Sequence, residues 1–429
     1  MDDPTRPTTV RPFRGLRYDP RAVPMADVVS PPYDVIDPRR HAELEAASPY
    51  NVVRLILPEA GGEDEVAERL ERWQAEGVLR TDAEPAFYWV EQEYTGPDGV
   101  TRRRDGFIGL VRVEPYEARV VRPHERTHAA PKEGRLRLLR ATEAQLSPVF
   151  ALYRDATAQV ETALREARTD VPDVDVTDPE GTRHRMWRVP GEHAAVQDAL
   201  ARSPLLIADG HHRYETALAY RAESAGRTDV DADWTMMYLV NAEAEGLTIF
   251  PTHRVVSGLD AAQEADLPRA LRAQGLTVSE VSGDVHDLVE SLWATGGRPA
   301  FGVWRSASTP GLLCLLEDAE PMRAALPDAS EATRTLDVAV VETLVLGPVL
   351  GLAAAEMAHT DRLRYLHRAE DAAAAAAASP GTVAVILRAP PIEAVEAVVE
   401  AGETMPQKST YFYPKTLDGL VFHRLRAAP

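Results

Sequence analysis

The chain has 429 residues, 45% of them hydrophobic and 27% charged; this suffices for two or three packed units at roughly 100–200 residues each and excludes bulk disorder. Basic residues number 47 against 67 acidic, a net charge of −20, so the surface repels nucleic acid and anionic lipid at long range while leaving room for a local basic pocket. No apolar run reaches the ~20 residues that cross a bilayer. Met1-Asp2-Asp3-Pro4 has neither the basic nor the apolar part of a signal peptide, and the single Cys314 excludes a disulfide framework or a site of several thiolates. A cytoplasmic protein without membrane attachment is expected.

In chain order, 28–36 (VVSPPYDVI) is too proline-rich for a helix interior and is expected as a rigid extended loop between short strands. Residues 51–57 (NVVRLIL) are apolar and β-branched and predict a strand, and 63–77 a helix, with Val66, Leu70 and Trp73 at helical spacing before Gly77. Alternation over 86–94 and its return over 106–113, around Gly96-Pro97-Asp98-Gly99, predict a β-hairpin. A helix opens at Pro131-Lys132-Glu133; 148–153 is a buried strand, and 205–208 (LLIA) a short strand running through a tight turn into a helix over 214–225. From about residue 260 amphipathic helices dominate the pattern, over 261–273, 285–294, 337–346 and from 361 onward, with one strand at 383–387. The fold class is α+β with mixed short strands, arranged as an N-terminal part (1–120), a central part (121–260) and a helix-rich C-terminal part (261–429).

The densest chemical cluster is Asp209-Gly210-His211-His212-Arg213. Glycine after a strand lets the backbone turn sharply, the amides of the next helical turn favour an anion, and arginine forks onto phosphate oxygens. The competing reading is a helix capped by Asp209 with solvated histidines. His124-Glu125-Arg126-Thr127-His128 has the spacing of the zinc-protease motif, but Pro123 and Pro131 bracket it and no third ligand stands at a recognisable spacing; Glu125 with His124 is read instead as a carboxylate–imidazole pair for proton transfer, with a polar loop carrying a surface ion pair as the competing reading. Thr252, His253 and Arg254 add a hydroxyl, an imidazole and a guanidinium, and Gln407-Lys408-Ser409-Thr410 offers donors for phosphate or carboxylate. Asp34, after Pro-Pro-Tyr33, suits a substrate amine, a metal or a plain turn. Among all the basic residues only Lys132, Lys408 and Lys415 are lysines; against such an arginine bias a lysine is expected where a compact ammonium is needed, an argument that bears least on Lys415.

The segments VSPPYDVI, HERTHAAPKEGRLRLLRAT, ADGHHRYETALAY, PTHR and MPQKSTYFYPK resemble those of the uncharacterised domain-of-unknown-function 1015 family, from about residue 11 to 425. More distantly, Gly210-His211-His212-Arg213 is similar to the phosphate-holding turns of the ParB/sulfiredoxin superfamily, which includes kinases of free serine. His211 stands where sulfiredoxin has its catalytic cysteine, so sulfinic acid reduction is not expected. The resemblance implies a ParB/sulfiredoxin-like strand–turn–helix core and a base upstream of the turn, for which Glu125 is the candidate.

Together these readings lead to a phosphotransferase or phosphohydrolase acting on a small hydroxy-amino acid, free serine or phosphoserine. Asp209, Gly210, His211, His212, Arg213, Lys132, Gln407, Ser409 and Thr410 would bind phosphate or nucleotide; Glu125, His124, His212 and Lys408 would carry catalysis; Tyr33, Asp34, Thr252 and His253 would meet the substrate. A nucleotide or pyrophosphate is the expected donor, and Mg²⁺ the expected metal, on Asp209 or Asp34. The rival is a nucleotide- or DNA-binding regulator; the net charge disfavours nucleic acid, and Arg102-Arg103-Arg104 with Arg135, Arg137 and Arg140 form no continuous stripe.

Overall fold

The computed structural model describes residues 7–96, 98–126, 129–306, 308–352, 357 and 360–426, with backbone alone at 129–132. The chain forms two compact units: Met1–Pro123 with Thr127–Thr248 and Pro414–Pro429, and His124–Arg126 with Ile249–Tyr413. Both mix helices and strands, as the residue pattern predicts.

The first unit is built on a nine-stranded sheet. Its order is Val121–Arg122, Leu205–Asp209, Val149–Tyr153, Trp234–Asn241, Thr101–Arg112, Ala86–Thr95, Arg183–Pro190 and Val174–Thr177, with Val10–Arg11 also on Thr101–Arg112. The predicted hairpin supplies the two longest strands, with Tyr88 opposite Ile108 and Thr95 opposite Thr101. Strand alternation sends Phe87, Trp89, Phe107, Tyr153, Ile207 and Leu239 into one large core. On the same strands, residues of the other parity face the opposite side. There Gln92 pairs across to Arg104 and to His184, and all three are almost completely buried. A buried arginine costs several kcal/mol unless it is fully hydrogen-bonded, and the Arg104 Nε donates to Gln92 Oε1 at 3.1 Å while its carbon lies 4.8 Å from the Phe150 ring centre.

The second unit carries a six-stranded sheet in the order Thr277–Val281, Gly311–Leu315, Ala300–Trp304, Val383–Ile386, His253–Val256 and Leu363–Leu366. Beyond residue 260, where only 383–387 is expected as a strand, helices alternate with the strands of this sheet. Ala300–Trp304 and Val383–Ile386 are short and buried throughout, so they lack the alternation that marks a half-exposed strand. The helix expected from 361 is the strand Leu363–Leu366, paired antiparallel to His253–Val256.

Two further expectations change in the first unit. The strand expected at 51–57 is the short helix Val53–Ile56. Val52, Val53, Leu55 and Ile56 are all buried, and Asn51 organises the turn, its amide donating to Asp27 O at 2.8 Å and its Oδ1 accepting from Val53 N at 3.0 Å. This tertiary setting overrides the β preference of the valines. The extended loop at 28–36 is extended only as far as Pro32, after which Tyr33–Val35 forms a 3-10 turn.

Phe107 is fully buried, with its ring centre 5.4 Å from that of Phe87 and 6.3 Å from that of Tyr153. Phe107→Ala should therefore destabilise the first unit by about 3–5 kcal/mol, seen as a lower denaturant midpoint in urea; an unchanged midpoint would show that this core is not the unit's main support.

Candidate functional site

The strand Leu205–Asp209 ends in an irregularity. Leu206 pairs with Leu152 and Ile207 with Ala151, but Asp209, not Ala208, is opposite Phe150. Such a bulge re-aims the side chains that follow it. The next residue, Gly210, has φ 90° and ψ 30°, and the helix His211–Glu223 starts immediately. A Cβ on Gly210 would lie 2.8 Å from Arg213 Nε, so both the left-handed backbone and the close approach of the guanidinium require glycine.

Arg213 reaches back one turn. Its guanidinium donates to Asp209 Oδ2 and to Pro148 O, while its Nε is buried with no hydrogen-bond partner among the described residues. The other Asp209 oxygen accepts from Lys415 Nζ at 2.6 Å. Asp209 is thus no helix cap; Gly210 occupies that position with no side-chain bond. His211 is buried and His212 half-buried in the first turn. With cations on both its oxygens, Asp209 does not fit as a Mg²⁺ ligand, and among the described residues no group of three or more His, Cys, Asp or Glu is placed to hold a metal.

The Pro-Pro-Tyr-Asp segment joins this corner. Ser30 and Asp418 exchange backbone hydrogen bonds at 3.2 and 2.9 Å, the Arg135 guanidinium lies 3.7 Å over the Tyr33 ring, and Asp34 acts electrostatically on Arg213 and Asp418. Burial works against the Arg213 charge, but Asp209, Asp418, Tyr33 and Asp34 more than offset it and raise its pKa. Asp418 is buried, with Ser147 Oγ donating to its Oδ2 at 2.8 Å and its Oδ1 unpartnered among the described residues. Burial pushes its carboxyl up to about 7, against Arg213 and the Ser147 hydrogen bond. Tyr33, Arg135, Ser147 and Arg213 border a cavity of about 60 Å³, room for a few waters.

A second polar group belongs to the other unit. Met405 N donates to His124 O at 2.8 Å, the His124 ring nitrogen Nε2 lies 2.8 Å from Thr410 Oγ1, and Gln407 donates to Arg126 O at 3.1 Å. Glu125 is half-buried, its Oε2 4.0 Å from His124 Nε2. Ser409 donates to Pro406 O, and the buried Arg254 guanidinium donates to Thr252 O and, at 3.1 Å, to Lys408 O. Lys408 has φ 56°, a left-handed backbone that a residue with a Cβ adopts only when its surroundings impose it. His253 Nδ1 accepts from Leu387 N at 3.1 Å, and burial, with Arg254 and His367, pushes its pKa down to about 3; it is a neutral acceptor within the sheet. Thr252 is likewise buried. Lys132 lies in the helix Ala129–Thr142, its side chain outside the described residues, as are Thr127 and His128.

The residues that sequence reasoning missed are Lys415, Asp418, Arg135 and Ser147. Only Lys415 had a signal, the scarcity of lysine. The arginine clusters resolve into local pairs: Arg102 with Asp98 at 2.6 Å, Arg103 with Asp105 at 2.7 Å, Arg137 with Glu63 at 2.9 Å, Arg140 with Glu223 at 2.6 Å.

Gly210→Ala should cost about 1–2 kcal/mol for its left-handed backbone alone and should displace Arg213; a thermal melt matching that of the unaltered protein would contradict this geometry. The Asp418 carboxyl, at about 7 in the folded chain and ~3.9 unfolded, keeps its proton where the unfolded chain loses it. Its contribution to stability therefore falls as pH rises from about 4 to about 7. Asp418→Asn should remove that part of the slope in urea titrations at pH 5 and 7.5; parallel slopes for the two proteins would refute the assignment.

Comparison with curated proteins gives no match. Among solved structures, a conserved hypothetical protein from Pyrococcus furiosus is similar at 16% identity, covering 68% of this chain and 86% of its own, with a TM-score of 0.34. A free serine kinase in complex with AMP is similar at 17% identity over 68% of this chain and 83% of that one, TM-score 0.34. C-terminally truncated SbnI from Staphylococcus aureus is similar at 14% identity over 73% and 86%, TM-score 0.37. The family model described as "Protein of unknown function (DUF1015)" matches residues 10–339, and the chain belongs to that family.

Proposed function

We propose that this protein is a phosphotransferase or phosphohydrolase acting on a small hydroxy-amino acid, free serine or phosphoserine, with a nucleotide or pyrophosphate as the phosphoryl partner. The observation that supports it most is the turn at Gly210. A left-handed glycine opens the helix His211–Glu223, and the amides at such an N-terminus favour an anion. Arg213, beside it, has a buried Nε without a partner among the described residues. In this reading Gly210, His211, His212 and Arg213 hold phosphate at the turn.

The remaining roles follow the chemistry of the residue types. Glu125 accepts the proton of the substrate hydroxyl as the oxygen–phosphorus bond forms and the bond from phosphorus to the donor's leaving phosphate oxygen breaks; in the hydrolysis of phosphoserine, Glu125 takes a proton from water as its oxygen bonds to phosphorus, the bond from phosphorus to the serine oxygen breaks, and that oxygen takes up a proton. Lys408 and Lys132 offset charge spreading over the transferred group, and Gln407, Ser409 and Thr410 supply neutral donors. Tyr33 and Asp34 serve the substrate, Asp34 through its amine. The serine-directed part of this reading draws on the motif resemblance to the ParB/sulfiredoxin superfamily. Where the reaction uses Mg²⁺, no step is assigned to Asp209.

Purified protein incubated with serine, Mg²⁺ and ATP, ADP or pyrophosphate in turn should form phosphoserine, or should release phosphate from phosphoserine, as followed by mass spectrometry; silence across the whole panel in both directions removes the proposal. Glu125→Gln should lower turnover by about 10²–10⁴-fold and leave pyrophosphate binding within about twofold, whereas equal loss of both would make Glu125 structural.

A further inference from the structure

Lys415 carries more structure than a surface ion pair needs. Its ammonium and the Arg213 guanidinium both sit on Asp209, with side chains only 12%, 12% and 16% exposed. One cation suffices to neutralise one carboxylate. Here two cations meet one carboxylate beside the amides of a helix N-terminus, where the dipole favours an anion, while Asp418 and Asp34 also act on Arg213.

The backbone of Lys415 is held from below by the buried polar row of the sheet. Gln92 Nε2 donates to Lys415 O at 3.0 Å, and Arg104 donates to the preceding carbonyl, of Pro414. Gln92 is itself fixed: its Oε1 accepts from Arg104 Nε at 3.1 Å and from Tyr238 OH at 3.1 Å, and its Nε2 lies 3.2 Å from His184 Nδ1. His184 in turn lies 2.9 Å from Asp178 Oδ2 through Nε2. Four adjacent strands thus contribute buried polar groups to the placement of two carbonyls. An arrangement that takes so many polar groups out of water is costly unless each is satisfied, and what it holds is the backbone from which the Lys415 ammonium reaches Asp209. A lysine at that position can move its single ammonium from a carboxylate to a phosphate oxygen, which the rigid fork of arginine does less readily.

We propose that Lys415 is a phosphate-binding residue of the Gly210 turn, and that the buried Gln92–Arg104 pair is its positioning device, fixing the Lys415 backbone so that the ammonium serves the bound anion. This rests on the phosphate reading of the turn and adds to it the second cation and the reason for the polar row.

The test is calorimetric titration of pyrophosphate, and separately of ADP, into the full chain well below its melting temperature. Lys415→Met should weaken binding at least ~10-fold, the loss of a charge-assisted hydrogen bond, and Lys415→Arg should recover part of it. Gln92→Leu should weaken binding several-fold, and the double variant Lys415→Met/Gln92→Leu should bind within about twofold of Lys415→Met alone, because Gln92 acts only through Lys415. Gln92→Glu, which keeps the acceptor for Arg104 and loses the donor to Lys415, is the second probe of the same link if the leucine variant does not fold. Binding by Lys415→Met within about twofold of the unaltered chain overturns the proposal, as does a Gln92 loss that adds in full to that of Lys415→Met. If the unaltered chain binds neither pyrophosphate nor ADP, the phosphate reading of the turn and this inference fall together; if it binds and only the Lys415 variants are indifferent, this inference alone falls.

Discussion

One carboxylate organises the corner at Asp209. Its two oxygens accept from Lys415 and Arg213, and that pairing requires both a bulge at the end of a buried strand and a residue without a Cβ immediately after it. The bulge turns Asp209 out of the strand's alternation, and Gly210 admits the Arg213 guanidinium against its own α-carbon. Each of these features is unfavourable in isolation: a broken ladder, a left-handed residue, charges with little solvent. They persist together because the ion pairs and the helix dipole act on the same few groups.

The first unit handles its polar residues in two ways. On one side of the sheet, Phe87, Trp89, Phe107 and Tyr153 form an apolar core of the ordinary kind. On the other, Arg104, Gln92, His184 and Tyr238 form a connected polar row. That row also bonds the carbonyls of Lys415 and Pro414, which gives its buried donors partners. Arg102 and Arg103, the sequence neighbours of Arg104, pair with Asp98 and Asp105 at the hairpin surface. Three consecutive arginines thus have three different environments, set by strand alternation and by a turn.

In the second unit the strained residue is Lys408. Its left-handed backbone is held by the Arg254 guanidinium on its carbonyl, and the loop around it is tied to His124 and Arg126 by hydrogen bonds of 2.8–3.1 Å. Burial raises the pKa of Glu342 there, with Arg126 and Arg254 opposing it and Glu125 reinforcing it. Glu342 opens a π-helical turn, Glu342–Leu346, a distortion that is rare and frequent at functional positions.

Local information determined a good part of this protein. The hairpin, the strand–turn–helix passage through Gly210, the helix at 63–77 and the motif set that marks the family are all contained in short stretches of residues, because alternation, helical spacing and glycine after a strand act over a few residues at a time. Tertiary structure decided the rest. The run NVVRLIL became a short helix, its turn organised by Asn51 and its apolar side chains Val53, Leu55 and Ile56 buried, and LRYL a strand because His253–Val256 offered it a ladder. The Lys415–Asp209 pair joins residues 206 positions apart, and no spacing rule reaches that far. Whether an ammonium meets a carboxylate at such a distance depends on where the polar row of the sheet holds the backbone, a property of packed strands and not of the residues near either end.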